Sequence, residues 1–228
     1  MNGWSVVRWT GLLGLAGTAF QLVAFAFLFA TGLPPTFDDT ARVLAYVKDA
    51  HFALTTATLL FFIGFALVIG FNAGLRALAV AAAADHEWLA TTTFAAGLAT
   101  LVLGFAGVGL LLADAAIVAG NHADAAQVRT LFETSGVLGG APLLVPVAFY
   151  LGAAASLGAT TRILPRWLAI VGWVGSVLVL IASLSAYGGS DPAAFWSAGG
   201  MVTILALLPL YVWTLGASVA FVRRPPVG

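Results

Sequence analysis

The 228-residue chain is 61% hydrophobic and 8% charged, and its nine basic and nine acidic side chains give a formal net charge of zero. Average soluble domains carry roughly 25% charged residues, so this composition excludes a water-soluble fold. The absence of cysteine excludes disulfides and thiolate metal sites, and without a basic run nothing indicates a nucleic acid partner.

Six apolar stretches follow one another along the chain, and each is long enough to cross a membrane as a helix. About 20 residues at ~1.5 Å per residue span a hydrocarbon core of ~30 Å. Uniformly apolar runs of this length are typical of transmembrane helices, whereas the strands of a membrane barrel alternate in polarity. The sequence therefore predicts an all-α polytopic membrane protein with one transmembrane domain over residues 1–228 and spans at about 11–33, 52–75, 88–117, 136–161, 167–187 and 196–222.

An aspartate followed closely by alanine stands in each connection after the first, third and fifth spans, at Asp39, Asp124 and Asp191. Aspartate is a preferred N-cap because its carboxylate accepts hydrogen bonds from the free N–H groups of the first helical turn. We therefore expect three helical hairpins, each joined by a loop that begins a short helix. Two interpretations of the similar loops stay open, a threefold internal repeat and a coincidence of capping.

The first two of these loops have apolar residues at helical spacing, with charged residues between them. The apolar positions are Phe37, Ala41, Leu44 and Val47 in the first loop, and Ala125, Val128, Leu131 and Phe132 in the second. The pattern predicts short amphipathic helices. They are expected to lie along the membrane surface or to close over the bundle.

Basic residues are unevenly divided between the two sides of the predicted membrane domain. The side that holds both chain ends collects Arg8, Arg76, Arg162, Arg166, Arg223 and Arg224, and the other side collects Arg42, Lys48 and Arg129. Loops rich in arginine and lysine stay in the cytoplasm. The sequence therefore predicts a multi-pass protein of the cell membrane with its N- and C-termini in the cytoplasm.

Asp114 is the charged residue that falls inside a predicted span. If the second and third spans form a symmetric hairpin, Asp114 is level with about Ala57 and lies roughly 8 Å below the outer membrane boundary. A charge at the centre of a membrane helix costs about 2.5–3.5 kcal/mol on insertion scales, and less towards the interface. We expect a hydrogen-bonding partner, a water-filled cavity or protonation to offset this cost.

Other polar residues are expected near Asp114, and together with it they form the predicted binding site, a polar pocket that faces the outer side: Thr55, Thr58, Asn121, His122, His51 and Asp49. Asp114, His122 and His51 are also the candidates for a catalytic role. The alternative is structural, with Asp114 fixing the register of two helices and the histidines facing water or headgroups. Because the histidines have no metal-binding spacing, neither a metal nor a cofactor is predicted. Gln21, midway along the first span, could form a hydrogen bond across helices or serve packing alone.

Residues 162–169 have the sequence RILPRWLA and are followed by Ile-Val-Gly-Trp. This stretch resembles a segment of actinobacterial polytopic integral membrane proteins that belong to domain-of-unknown-function families. The resemblance covers about the last two fifths of the chain. It implies a bundle of six helices or a similar number, and it implies no activity.

Two hypotheses of function follow from the sequence. The first is a non-enzymatic membrane protein that binds or moves a small lipophilic molecule, or that is an accessory subunit of a membrane complex. The alternative is an intramembrane enzyme that acts on a lipid or isoprenoid, with Asp114 as general acid or base. The expected partners are the lipid bilayer, a lipid or other hydrophobic small molecule, and a second copy or another subunit.

Overall fold

Helices make up nearly all of residues 6–119 and 124–224, the part of the chain that this computed structural model describes. The α-helices in it are α1 (Val6–Ala30), α2 (Thr40–Asp49), α3 (His51–Ala82), α4 (Glu87–Ala119), α5 (Ala125–Leu138), α6 (Ala141–Thr161), α7 (Arg166–Ser183), α8 (Met201–Leu205) and α9 (Leu208–Val222). Six helical segments are long and apolar enough to cross a membrane: Val6–Ala30, His51–Ala82, Ala84–Val118, Ala125–Thr161, Arg166–Gly188 and Met201–Val222. The predicted all-α fold with six spans is confirmed at this level.

Two of the spanning segments are interrupted where glycine and proline weaken the helix. The fourth contains a break at Gly139 and Gly140, because Gly140 adopts φ −98° and ψ −125° and Pro142 then starts α6. The sixth breaks at Ala206 and Leu207, ahead of Pro209 at the start of α9. Proline has no backbone N–H to donate, so it is tolerated in the first turn of a helix.

The loop helices α2 and α5 have the amphipathic character that the sequence predicts. Asp39 accepts a hydrogen bond from the backbone N–H of Arg42 at 3.0 Å, and Asp124 accepts one from Ala126 at 3.0 Å. The two helices pack on each other and bury one cluster, whose members are Phe37, Val43, Val47, Ala50, Leu54, Val128 and Phe132. Leu28, Leu111, Ile117 and Val118, from the ends of α1 and α4, border this cluster. The pair therefore closes over one end of the bundle.

The prediction of a short helix after Asp191 is wrong, because residues 189–200 form turns and bends. Asp191 accepts the backbone N–H of Ala193 at 2.9 Å in a local turn, and Pro192 and the flanking glycines oppose a helix. The segment folds into the bundle, where the Ala198 carbonyl accepts the N–H of Ala141 at 3.0 Å and satisfies the start of α6. We call the end of the bundle formed by α2, α5 and residues 189–200 the loop end.

The spanning helices pack side by side in a closed ring with the order α1, α3, α4, α6, α7 and α9, and α9 returns to α1. The backbones of α1 and α3 approach closely at Gly17 and Gly64, where a Cβ on either glycine would lie 2.9 Å from the carbonyl oxygen of the other. Far from the loop end, Phe71, Trp213 and Phe221 fill the centre of the ring. Nearer the loop end, the same ring encloses a cavity.

Candidate binding cavity

A cavity of about 300 Å³ occupies the centre of the ring on the side of the loop end. Its wall comes from α1, α2, α3, α4, α5, α6, α8 and α9 and is mostly aromatic and aliphatic, with Phe25, Phe61, Phe65, Leu101 and Leu111 among its residues. None of the lining residues in the described part of the chain carries a charge. Apolar pockets with a few polar groups are typical of binding sites for small molecules.

The face that α4 turns towards the cavity contains three glycines, Gly97, Gly104 and Gly107, which leave space at the centre. Gly97, Leu101, Gly104 and Val108 line the cavity at intervals of three and four residues, so they lie on one face of the helix. Below the cavity, the rings of Tyr150 and Trp213 pack edge to face, with their centroids 5.7 Å apart. Aromatic side chains therefore fill the half of the ring far from the loop end, and the glycines of α4 help to leave the other half open.

Polar residues gather at the end of the cavity that is remote from the loop end, and we call this set the polar floor: Thr18, Gln21, Asn72, Tyr150, Tyr211 and Thr214. Two hydrogen bonds cross between helices here. The hydroxyl of Tyr211 on α9 donates to Oε1 of Gln21 on α1 at 3.0 Å. The hydroxyl of Tyr150 on α6 donates to Oδ1 of Asn72 on α3 at 3.0 Å.

Several donors of the polar floor have no partner within residues 6–119 and 124–224. They are the amide nitrogens of Gln21 and Asn72 and the hydroxyls of Thr18 and Thr214, although each of these residues is at most 6% exposed. Buried polar groups are nearly always hydrogen-bonded, because an unmet donor forfeits its hydration without compensation. The polar floor can therefore donate hydrogen bonds to a molecule in the cavity.

The cavity reaches the surface at the loop end. Leu33, which is 71% exposed, and Pro34 line both the cavity and a shallow groove on the surface. Tyr46 also lines both, and its hydroxyl forms a hydrogen bond of 2.6 Å with Thr31. Burial raises the pKa of the Tyr46 phenol above its ordinary value. A neutral, hydrogen-bonded tyrosine therefore stands between the groove and the cavity.

Asp114 lies deep between helices, with none of its surface exposed. Neither carboxylate oxygen has a hydrogen-bond partner among the described residues. The ring of Phe105 lies 5.4 Å from that of Phe62 and 5.2 Å from that of Phe65, which fixes the antiparallel register of α3 and α4. Asp114 follows Phe105 by nine residues on α4, and on the antiparallel α3 the same displacement leads back from residues 62–65 to residues 53–56. Asp114 is therefore level with Thr55, slightly nearer the loop end than the sequence estimate of Ala57.

The other predicted site residues lie at the same end of the bundle and are dispersed. Thr55 Oγ1 and His51 Nδ1 are buried without a partner in the described chain, whereas the Thr58 hydroxyl donates to the Leu54 carbonyl at 2.8 Å. Asp49 is exposed and lines the surface groove. Asn121 and His122 lie outside the described residues. Of the described members of the predicted site, Asp114, Thr55, Thr58 and His51 are not among the residues that line the cavity.

The polar floor is the part of the site that sequence reasoning missed, apart from Gln21. Its signal in the sequence is weak but present, since Gln21 and Asn72 are carboxamides inside otherwise apolar spans. Uncompensated amides are costly in a membrane, so each one marks a helix face that meets another polar group. A search for amides as well as charges would have selected both residues.

Comparisons with known proteins give no family or relative for this arrangement. No family model matches the chain, and no match is found among the curated proteins or the solved structures. The family to which residues 162–169 show a resemblance therefore stays a prediction, and the fold and the cavity carry the functional conclusion.

Proposed function

We propose that this protein binds a small neutral lipophilic molecule in the central cavity and holds or carries it within the membrane. The observation that carries the proposal is the closed ring of helices around a largely apolar cavity that opens at the loop end and whose described lining residues carry no charge. A cavity of about 300 Å³ is at the lower end of the range of small-molecule pockets. A charged ligand would be buried there without a counter-charge among the described lining residues, which is costly.

We further propose that the protein is a multi-pass protein of the cell membrane with cytoplasmic termini, built as three hairpins. Support comes from the arginines, since Arg76, Arg162, Arg166, Arg223 and Arg224 lie on the helix ends opposite the loop end. Arg42, Lys48 and Arg129 lie on α2 and α5 at the loop end. By the positive-inside rule the loop end faces away from the cytoplasm, so the ligand enters from the outer side.

The orientation can be tested directly because the chain has no cysteine. Asp49→Cys places a thiol in the groove at the loop end, and Asp85→Cys places one on an exposed side chain at the opposite end. A maleimide that does not cross membranes should label only the first variant in intact cells and both in broken cells. Labelling of Asp85→Cys alone in intact cells would reverse the topology.

Ligand binding is tested by extracting and identifying the lipids that co-purify with the full chain. Gly136→Leu is the blocking variant, since Gly136 lines the cavity and a Cβ there would meet only Phe37, at 3.6 Å. Gly109→Leu is the matched control, because its Cβ would meet Phe62 at 3.9 Å and it does not line the cavity. We expect a bound neutral lipid in the parent chain and the control and little in Gly136→Leu. Equal lipid content in all three proteins would refute the proposal.

A further inference from the structure

We infer that the polar floor selects a lipid whose head carries carbonyl oxygens, and that this head lies deep in the cavity with its tail towards the loop end. The inference rests on the proposed function and adds the chemical class of the ligand. Four observations support it: the engaged amide oxygens, the glycines behind the amides, the free hydroxyls and the absence of charge from the described lining residues.

The two tyrosines determine which part of each amide faces the ligand. Tyr211 donates to Oε1 of Gln21, and Tyr150 donates to Oδ1 of Asn72, so in each pair the tyrosine proton is already used. The amide nitrogens remain, and a carboxamide nitrogen can donate hydrogen bonds but cannot accept them. Both pairs therefore present donors to the cavity. A ligand head that offers acceptors satisfies them, and a pure hydrocarbon does not.

Each amide side chain packs against a glycine of a neighbouring helix. A Cβ on Gly97 would lie 2.7 Å from Nδ2 of Asn72, and a Cβ on Gly64 would lie 2.8 Å from Cγ of Gln21. Both distances are too short for a real contact, so a larger residue would displace the amide. The same unit of amide, tyrosine and glycine thus occurs twice around the cavity, once for each amide.

Hydroxyl groups at the same level add to the excess of donors. Thr18 and Thr214 have no hydrogen-bond partner within residues 6–119 and 124–224, unlike Thr100, which also lines the cavity but donates to the Ala96 carbonyl at 3.0 Å. Hydroxyls can donate or accept, and amide nitrogens only donate, so the balance favours an acceptor on the ligand.

The absence of charge among the described lining residues narrows the class of ligand further. An anionic head, such as a carboxylate or phosphate, would need a lysine or arginine, and a cationic head would need a carboxylate. Asp114 is not among the cavity residues. A neutral ketone or quinone head meets every requirement, and Phe25, Phe61 and Phe65 offer its tail an aromatic wall.

The test uses the purified full chain in micelles and three probes with the same chain length: 2-heptadecanone, heptadecane and heptadecanoic acid. We expect the ketone to bind more tightly than the alkane by roughly fivefold for each hydrogen bond gained, and more tightly than the acid at neutral pH. Binding is read from the shift in melting temperature and from displacement of bound lipid. This comparison needs no variant, so it holds even where a substitution impairs folding.

Substitutions test whether the preference for the ketone over the alkane comes from the polar floor. Asn72→Leu and Thr214→Val should reduce the preference for the ketone over the alkane. Thr93→Val should leave it unchanged, because Thr93 does not line the cavity and its hydroxyl already donates to the Leu89 carbonyl at 2.8 Å. Gly97→Ala should weaken ketone binding while every donor is retained, a result that a purely structural role for Asn72 does not predict.

The outcomes separate this inference from the proposed function. Equal binding of the ketone and the alkane, unaffected by Asn72→Leu, would overturn the inference and leave a general lipophile-binding protein. Preferred binding of the acid would also overturn it. If no probe binds and Gly136→Leu has the lipid content of the parent chain, the proposed function fails and this inference fails with it.

Discussion

Tyr150 and Asn72 are 78 residues apart in the chain, and the Tyr150 hydroxyl donates to Asn72 Oδ1 over 3.0 Å. The bond joins α6 to α3 across the ring, at the level where the aromatic core ends and the cavity begins. Both residues are only 3% exposed. It therefore fixes the depth of the cavity as well as the position of one amide.

Removal of that hydroxyl should destabilise the protein measurably. Tyr150→Phe leaves the buried Asn72 oxygen without a donor, and we expect the free energy of unfolding to fall by about 1 kcal/mol. This value lies between the ~0.6 kcal/mol average for hydrogen bonds in membrane helices and the ~1–3 kcal/mol cost of an unmet buried group. Unfolding by denaturant in micelles measures it. Tyr187→Phe, at a side chain that is 90% exposed, is the control and should be neutral.

The close backbone contact of α1 and α3 at Gly17 and Gly64 gives a second prediction. In Gly64→Ala, the new methyl group would lie 2.9 Å from the Gly17 carbonyl oxygen, and backbone cannot move aside as a side chain can. We expect a loss of about 1–3 kcal/mol, typical of overpacking, together with weaker ligand binding because Gln21 is displaced.

Gly70→Ala is the matched control on the same helix. Its Cβ would meet the tip of the Leu13 side chain at 2.8 Å, and a leucine tip can rotate away. A melting temperature of Gly64→Ala equal to that of Gly70→Ala would contradict the close packing of α1 on α3.

Substitution of Asp114, unlike the two substitutions above, should not lower the stability of the protein. Both of its oxygens are buried without partners in the described chain, so Asp114→Asn removes a costly charge while it keeps the shape of the side chain. We expect the variant to be at least as stable as the parent chain at neutral pH and to bind the same lipid. A fall in stability of more than ~1 kcal/mol would reveal a partner for the carboxylate. Loss of a lipid-modifying activity would instead favour the enzyme hypothesis.

The ion pair at the end opposite the loop end should contribute little. Arg76 Nη2 lies 2.9 Å from Glu87 Oε1, but the two side chains are 37% and 58% exposed, so water and salt screen the attraction. We expect Glu87→Gln to change the free energy of unfolding by less than ~1 kcal/mol. The difference should vanish in high salt, and a difference that persists there would indicate a role beyond the charge.

The spans were predictable from the sequence because apolarity over about 20 residues is a local property. The caps of α2 and α5 were predictable for the same reason, since Asp39 and Asp124 act within their own first turns. Residues 189–200 were not, because their conformation depends on contact with α6, where Ala141 donates to the carbonyl of Ala198. Asp191 favours a helix start locally, but Pro192 and the contact with α6 favour the turns that are observed.

The cavity could not be predicted because it belongs to the ring and not to any one helix. Gln21 and Tyr211, which meet in the polar floor, are separated by 190 residues. A lone charge in an apolar span, such as Asp114, is a strong signal in the sequence, whereas the uncharged Asn72 and Tyr150 give a weaker one. The prediction that the site is reached from the side of α2 and α5 is shared by the proposal, although the residues differ.

The seam between α1 and α9 has a consequence for synthesis of the protein. A Cβ on Gly11 would lie 2.6 Å from the Ser218 carbonyl oxygen, so α1 packs closely against α9, a helix that is synthesised much later. Tyr211 and Thr214 belong to α9. A nascent chain has no complete polar floor before α9 has been made, so a ligand present during synthesis can stabilise only those chains that already contain α9.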